Sequence, residues 1–128
     1  EEVKNKKLDY KDNNNENLLN NYTENINMNL SKINQIINRN NDRDIYLWPC
    51  STHNITMLIY NKINMDRIAG FLDNSPNKIN KKVIQFNKGC FSFDQIDFSK
   101  SLVILNGGPF NEELIIYCKK TNLKYILL

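Results

Sequence analysis

The stretch from Asp44 to Leu72, DIYLWPCSTHNITMLIYNKINMDRIAGFL, decides the fold class. Ile45 to Trp48 is a short apolar run, and Pro49-Cys50-Ser51-Thr52-His53-Asn54 cannot extend it as a strand. Ile55 to Ile63 carries apolar residues at helical spacing. Arg67 to Leu72 is apolar again and runs into Asp73-Asn74. Strand, polar turn, helix and strand in that order form the first half of a nucleotide-binding α/β unit. In such units an acid ending the second strand, about 20–30 residues after the first turn, lies at the ligand crevice beside the first helix N-terminus. The Gly-x-Gly-x-x-Gly that usually builds the first turn is absent.

The remainder of the chain continues the alternation. Ser75-Pro76-Asn77-Lys78 reads as a turn, with Pro presetting φ. Val83 to Phe86 reads as a short strand and Phe93 to Ile96 as a helical turn. Leu102 to Leu105 is a continuous apolar strand of the kind buried on both faces. Phe110 to Thr121 reads as a helix with Leu114, Ile115, Tyr117 and Cys118 inward, and Tyr125 to Leu128 as a last strand. Within the first helix, Thr52 to Lys62, the spacing turns Ile55, Leu58 and Ile59 to one side. Strands alternating with helices predict a parallel sheet with right-handed crossovers.

Upstream, residues 1–15 are charged and Asn-rich and read as a mobile segment. Residues 16–43 read as an amphipathic helix over 16–38 and a linker. Leu19, Tyr22, Ile26, Leu30, Ile33 and Ile37 form its apolar stripe, with Leu19, Ile26, Leu30 and Ile33 expected to be largely buried. That stripe either covers the α/β domain of residues 44–128, links it to an adjacent domain, or forms a homodimer seam. The first residue is Glu, and the last apolar run stops at Leu128, so the expectation is a domain cut from a longer polypeptide.

Composition narrows the function classes. The 128 residues suffice for one modest core, and a net charge of +3 is too small to argue for nucleic acid. No apolar run is long enough to span a bilayer, and the first residues carry no signal-peptide pattern. Cys50, Cys90 and Cys118 are odd in number, widely spaced and in no metal-ligand pattern, which predicts a reducing, cytoplasmic compartment and no metal site. About one residue in five is Asn, which points to an AT-rich genome and weakens any argument from a single Asn.

Three segments carry candidate chemistry. Cys50, Ser51, Thr52 and His53 occupy the first turn, where backbone N–H groups favour anions and Ser51 or Thr52 can cap the helix. Such a turn is either structural alone or a phosphate or sugar-nucleotide site. Asp73 and Asn74 end the second strand, where the acid accepts ribose hydroxyls or caps its own turn, and is expected to be exposed. Asn106, Gly107 and Gly108 follow the most buried strand and either let a ligand approach or make a tight turn before Pro109. Ser51 to His53, Asp73 and Gly107 are expected to bound one crevice at the carboxyl ends of the strands. His53 is the only histidine and the only candidate general base. Glu112-Glu113 fit the first turn of a helix, and Lys78, Lys81 and Lys82 form a basic turn.

Asp73-Asn74-Ser75-Pro76-Asn77-Lys78, together with Ile104-Leu105-Asn106 and Glu112-Glu113, resembles segments in the C-terminal domain of sugar C-methyltransferases. Ser51-Thr52-His53 and Phe71-Leu72-Asp73-Asn74 look like the His-bearing turn and acidic strand end of the N-terminal domain of nucleotide-sugar N-acetyltransferases. The likeness covers residues 45–128, by strand order and short motifs. It implies a Rossmann-like accessory domain that recognises a nucleotide-sugar within a transferase of glycan biosynthesis. It assigns no cofactor, since nothing resembles a SAM-binding Gly motif and the α/β portion is too short for a full methyltransferase. The alternative is a ligand-free structural or dimerisation module.

Overall fold

The computed structural model describes residues 17–21, 31–60, 63 and 65–128. Six strands form one sheet: β1 (Asp44–Trp48), β2 (Ile68–Leu72), β3 (Lys82–Val83), β4 (Lys88–Phe91), β5 (Ser101–Leu105) and β6 (Lys124–Leu127). Among the described residues, helices accompany them at residues 17–21, at residues 31–39 (α1), at Thr52–Tyr60 (α2) and at Asn111–Thr121 (α3). The spatial order is β3-β4-β2-β1-β5-β6. Every pair is parallel except β3–β4. Counting only the parallel strands, the order is 3-2-1-4-5, the doubly wound order of a Rossmann-like sheet.

β1 and β5 are central, so after their first residues, Asp44 and Ser101, they are apolar rather than alternating. Ser101 to Leu105 are all buried, as are Ile45 to Trp48. Period-two alternation sends their side chains to two separate cores. Ile45, Leu47, Leu102 and Ile104 join Ile68 and Phe71 on one face, with Met57 and Leu58 of α2 and Ile33, Ile36 and Ile37 of α1. Tyr46, Trp48, Val103 and Leu105 join Phe93 and Cys118 on the other, where α3 packs through Leu114, Ile115 and Tyr117. Trp48, Phe93 and Tyr117 form an aromatic cluster there, with ring centroids 4.3–5.6 Å apart.

Several expectations change at the level of elements. The strand expected at Val83 to Phe86 is shorter and earlier, and residues 84–87 are a turn, with Ile84 87% exposed. The missing partner is β4, Lys88–Phe91, whose Gly89 and Cys90 give no periodic signal. Its place is set by pairing to β2, Phe71 opposite Cys90. The crossover from β2 to β4 therefore uses the β3 hairpin, where a helix is usual. In α2 it is Met57 and Leu58 that are buried, while Ile59 is 44% exposed, because the sheet contacts a face one residue back from the expected one.

Near the N-terminus, Ile33 is fully buried against the α/β body, whereas Leu19 is 64% exposed. Burial of the stripe thus holds for the segment that reaches the sheet and fails at Leu19. Ile26, Leu30 and Lys62 lie outside the described residues.

The abundant Asn has structural uses. Asn80, Asn87 and Asn122 all take positive φ, at 65°, 53° and 58°. Asn tolerates the left-handed region better than other non-Gly residues because its short amide can bond locally. Asn122 ends α3 in this way, with its N–H on the Cys118 carbonyl. Glu112 and Glu113 lie in the first turn of α3, Lys119 and Lys120 in the last, each sign complementing the helix dipole. No described helix is long and apolar enough to cross a membrane.

Candidate functional site

In a doubly wound sheet the strand order reverses between the two strands that lead to opposite sides, here β1 and β5. The loops leaving their carboxyl ends diverge and leave a crevice. Pro49, Ser51 and His53 after β1, Asp73 and Lys78 after β2, and Asn106 to Phe110 after β5 line a cavity of about 580 Å³ at this place. Ser51, His53, Asp73, Asn106, Gly107 and Gly108 are thus brought together on one face of the molecule. Cys50 and Thr52 are not in this group: they line a separate cavity on the other side of the α2 N-terminus. Asn74 is exposed and lines neither.

The first turn is built by capping. Ser51 Oγ accepts the Asn54 N–H at 3.1 Å and the Ser51 carbonyl accepts the Ile55 N–H at 3.0 Å, so Ser51 is the cap of α2. The N–H groups of Ser51, Thr52 and His53 find no acceptor among the described residues. They are the orphan donors that a helix N-terminus offers to an anion. The His53 side chain is exposed at the cavity, and no carboxylate among the described residues hydrogen-bonds it.

Asp73 departs from the expectation of an exposed acid. It is 8% exposed. Its Oδ2 accepts the Cys50 N–H at 3.1 Å and the Lys78 ammonium at 3.4 Å, and its Oδ1 accepts the Ser75 N–H at 2.9 Å. The Ser75 bond closes an Asx turn, the self-capping reading of this position. The Cys50 bond fastens the β1 loop to the end of β2. The carboxylate therefore shapes the crevice floor with most of its acceptor capacity already engaged.

Asn54 was not legible as a site residue, yet it organises the crevice. It is fully buried. Its amide donates to the Pro49 carbonyl at 2.8 Å and its carbonyl accepts from Asn106 Nδ2 at 2.7 Å. One side chain thus ties the first turn, α2 and the loop after β5. Only its polar type inside an apolar helix face could have flagged it, and in so Asn-rich a chain that signal is weak. The β5 loop is held in turn by the Gly107 N–H on Asn111 Oδ1 at 2.7 Å. Gly108 has φ +56°, which an L side chain rarely adopts, so glycine is suited to this turn.

The three cysteines are free and buried. Burial pushes the Cys50 thiol up, Cys90 up to about 12 with its neighbour Cys50 adding to the rise, and Cys118 up to about 11. None is poised as a thiolate nucleophile at neutral pH. Among the described residues no group of three or more His, Cys, Asp or Glu could hold a metal ion.

No family model, curated protein or solved structure gives a significant match to this chain.

Proposed function

We propose that the chain recognises a nucleotide-sugar, or a related phosphate ligand, in the cavity at the β1–β5 reversal. It would do so as an accessory, non-catalytic domain of a sugar-modifying transferase of glycan biosynthesis, fused to a methyltransferase or acetyltransferase. The observation that carries this reading is the N–H groups of Ser51 to His53 at the start of α2, which find no acceptor among the described residues and whose turn borders a cavity of ligand size. A phosphate would sit against those amides, with Lys78 at the cavity wall supplying positive charge. Asn106 and Gly108 would border the sugar.

A second reading, a docking module without a ligand, is favoured by the engagement of Asp73 with Cys50, Ser75 and Lys78 and of Gly107 with Asn111. Both groups are less available than the ligand reading first required.

Calorimetry with UDP-glucose, NAD and SAM separates the two. A UDP-sugar site predicts saturable heat with UDP-glucose. It also predicts a stability gain of about 2.7 kcal/mol at a hundredfold excess over the dissociation constant. His53→Glu places a carboxylate beside the free amides at an exposed position, so it should abolish binding and leave the fold intact. Silence from all three compounds leaves the docking module as the better reading.

A further inference from the structure

The second cavity, on the opposite side of the α2 N-terminus, belongs to none of the chemistry above. It has a volume of about 350 Å³ and opens between Thr52 and Ile55 of α2 and the β3 hairpin. Its position follows from the topology: the hairpin occupies the crossover that a helix would otherwise fill. Its apolar lining comes from Cys50, Cys90, Ile55 and Val83, and Ile84 stands at its rim with 87% of its surface in water.

Lys78, Lys81 and Lys82 all line this cavity, and no carboxylate among the described residues does. Lys78 is paired with Asp73, whereas Lys81 and Lys82 form no ion pair among the described residues. Their backbone is held in place. The Lys81 carbonyl accepts the Cys90 N–H at 2.8 Å, and Lys82 is registered against Gly89 in the antiparallel ladder. Two ammonium groups on a fixed backbone thus border an apolar recess that is open to solvent. A ligand with an apolar body would cover Ile84 and the Val83 side, while its anion meets Lys81 and Lys82.

We propose that this cavity is a second binding site, for a small molecule that carries a phosphate or similar anionic group on an apolar ring. It is separate from the β1–β5 cavity, with which it shares, among the described residues, only Lys78.

Phenyl phosphate is the probe, titrated by calorimetry into the His53→Glu protein, where the first cavity is closed to phosphates. One equivalent should bind. Adding Lys81→Glu and Lys82→Glu should weaken binding by about tenfold or more, as expected for losing charge-assisted hydrogen bonds. Adding Lys119→Glu and Lys120→Glu in α3, outside the cavity, should leave the affinity unchanged. Inorganic phosphate alone should bind more weakly, because it covers no apolar surface. Melting curves check that each variant is folded, and both lysine pairs are exposed. The proposal is overturned if no saturable heat is seen with phenyl phosphate, or if the two lysine pairs weaken it equally.

Discussion

The backbone N–H of Cys50 lies 3.1 Å from Asp73 Oδ2 and 3.1 Å from the Leu72 carbonyl, so one donor is shared between two acceptors at the end of β2. The side chain and the backbone of the second strand thus hold the turn that follows the first. This joint fixes the wall between the two cavities, because Cys50 lines one and Asp73 the other.

Asp73→Ala should therefore destabilise the fold rather than act on a ligand alone. It leaves the Ser75 N–H without its partner and frees Lys78, with an expected cost of about 1–3 kcal/mol. Asp73→Asn keeps a carbonyl oxygen for one of the two N–H groups and should cost less. Urea unfolding of the three proteins checks the order.

Asn54→Ala should cost about 1–3 kcal/mol as well. It removes the donor to the Pro49 carbonyl and the acceptor of the Asn106 amide, leaving two polar groups without these partners at the crevice. The loss should loosen the loop after β5 selectively. Amide exchange at Asn106 to Gly108 should accelerate more than at the centre of β5, a difference that uniform destabilisation would not produce.

Gly70 and Gly107 should respond differently to Ala. A Cβ at Gly70 would lie 2.6 Å from Phe91 Cε2 and 2.8 Å from the Gly89 carbonyl oxygen, a backbone atom in the neighbouring strand. The strands cannot part without breaking the β2–β4 ladder, so Gly70→Ala should cost about 1–3 kcal/mol. At Gly107 the closest atom is Leu114 Cδ1 at 2.7 Å, the end of a half-buried side chain that can rotate. Gly107→Ala should cost less than Gly70→Ala, which thermal melting of the pair would show.

The buried thiols make stability fall in alkaline solution. Their folded pKa values lie above the unfolded thiol value of about 8.5, reaching about 11 at Cys118 and about 12 at Cys90. Between these limits the unfolded chain has released protons that the folded chain still holds. The unfolded state binds fewer protons, so the free energy of unfolding decreases as pH rises through this window. Urea midpoints at pH 8 and pH 10 should show the fall, and a Cys90→Ala, Cys118→Ala protein should show less of it. Equal falls in both proteins would assign the effect to other groups.

Much of the architecture was legible because central strands and packed helices leave periodic traces. Leu102 to Leu105 announces a strand buried on both sides, and Leu114, Ile115 and Cys118 announce the inner face of α3. Ser51 announces a cap. The short edge elements left no such trace. β4 contains Gly89 because the ring of Phe91 lies across it, with Phe91 Cζ 2.9 Å from where a Cβ would be. That is a packing reason, and local propensity carries none of it. Asp73 was legible as a strand-ending acid, but its burial depends on Cys50, Ser75 and Lys78 converging on it, and Cys50 lies 23 residues away.

By itself the sequence determined the α/β alternation, the position of the first turn and the segments from which a crevice would be drawn. These depend on local periodicity, turn chemistry and capping, which act within a few residues. Tertiary structure alone decided the strand order, the place of β4, the burial of Asp73, and the division of Cys50-Ser51-Thr52-His53 between two cavities. Those depend on which strands pair and which side chains meet across the sheet. Such contacts join residues far apart in the chain, and no local pattern records them.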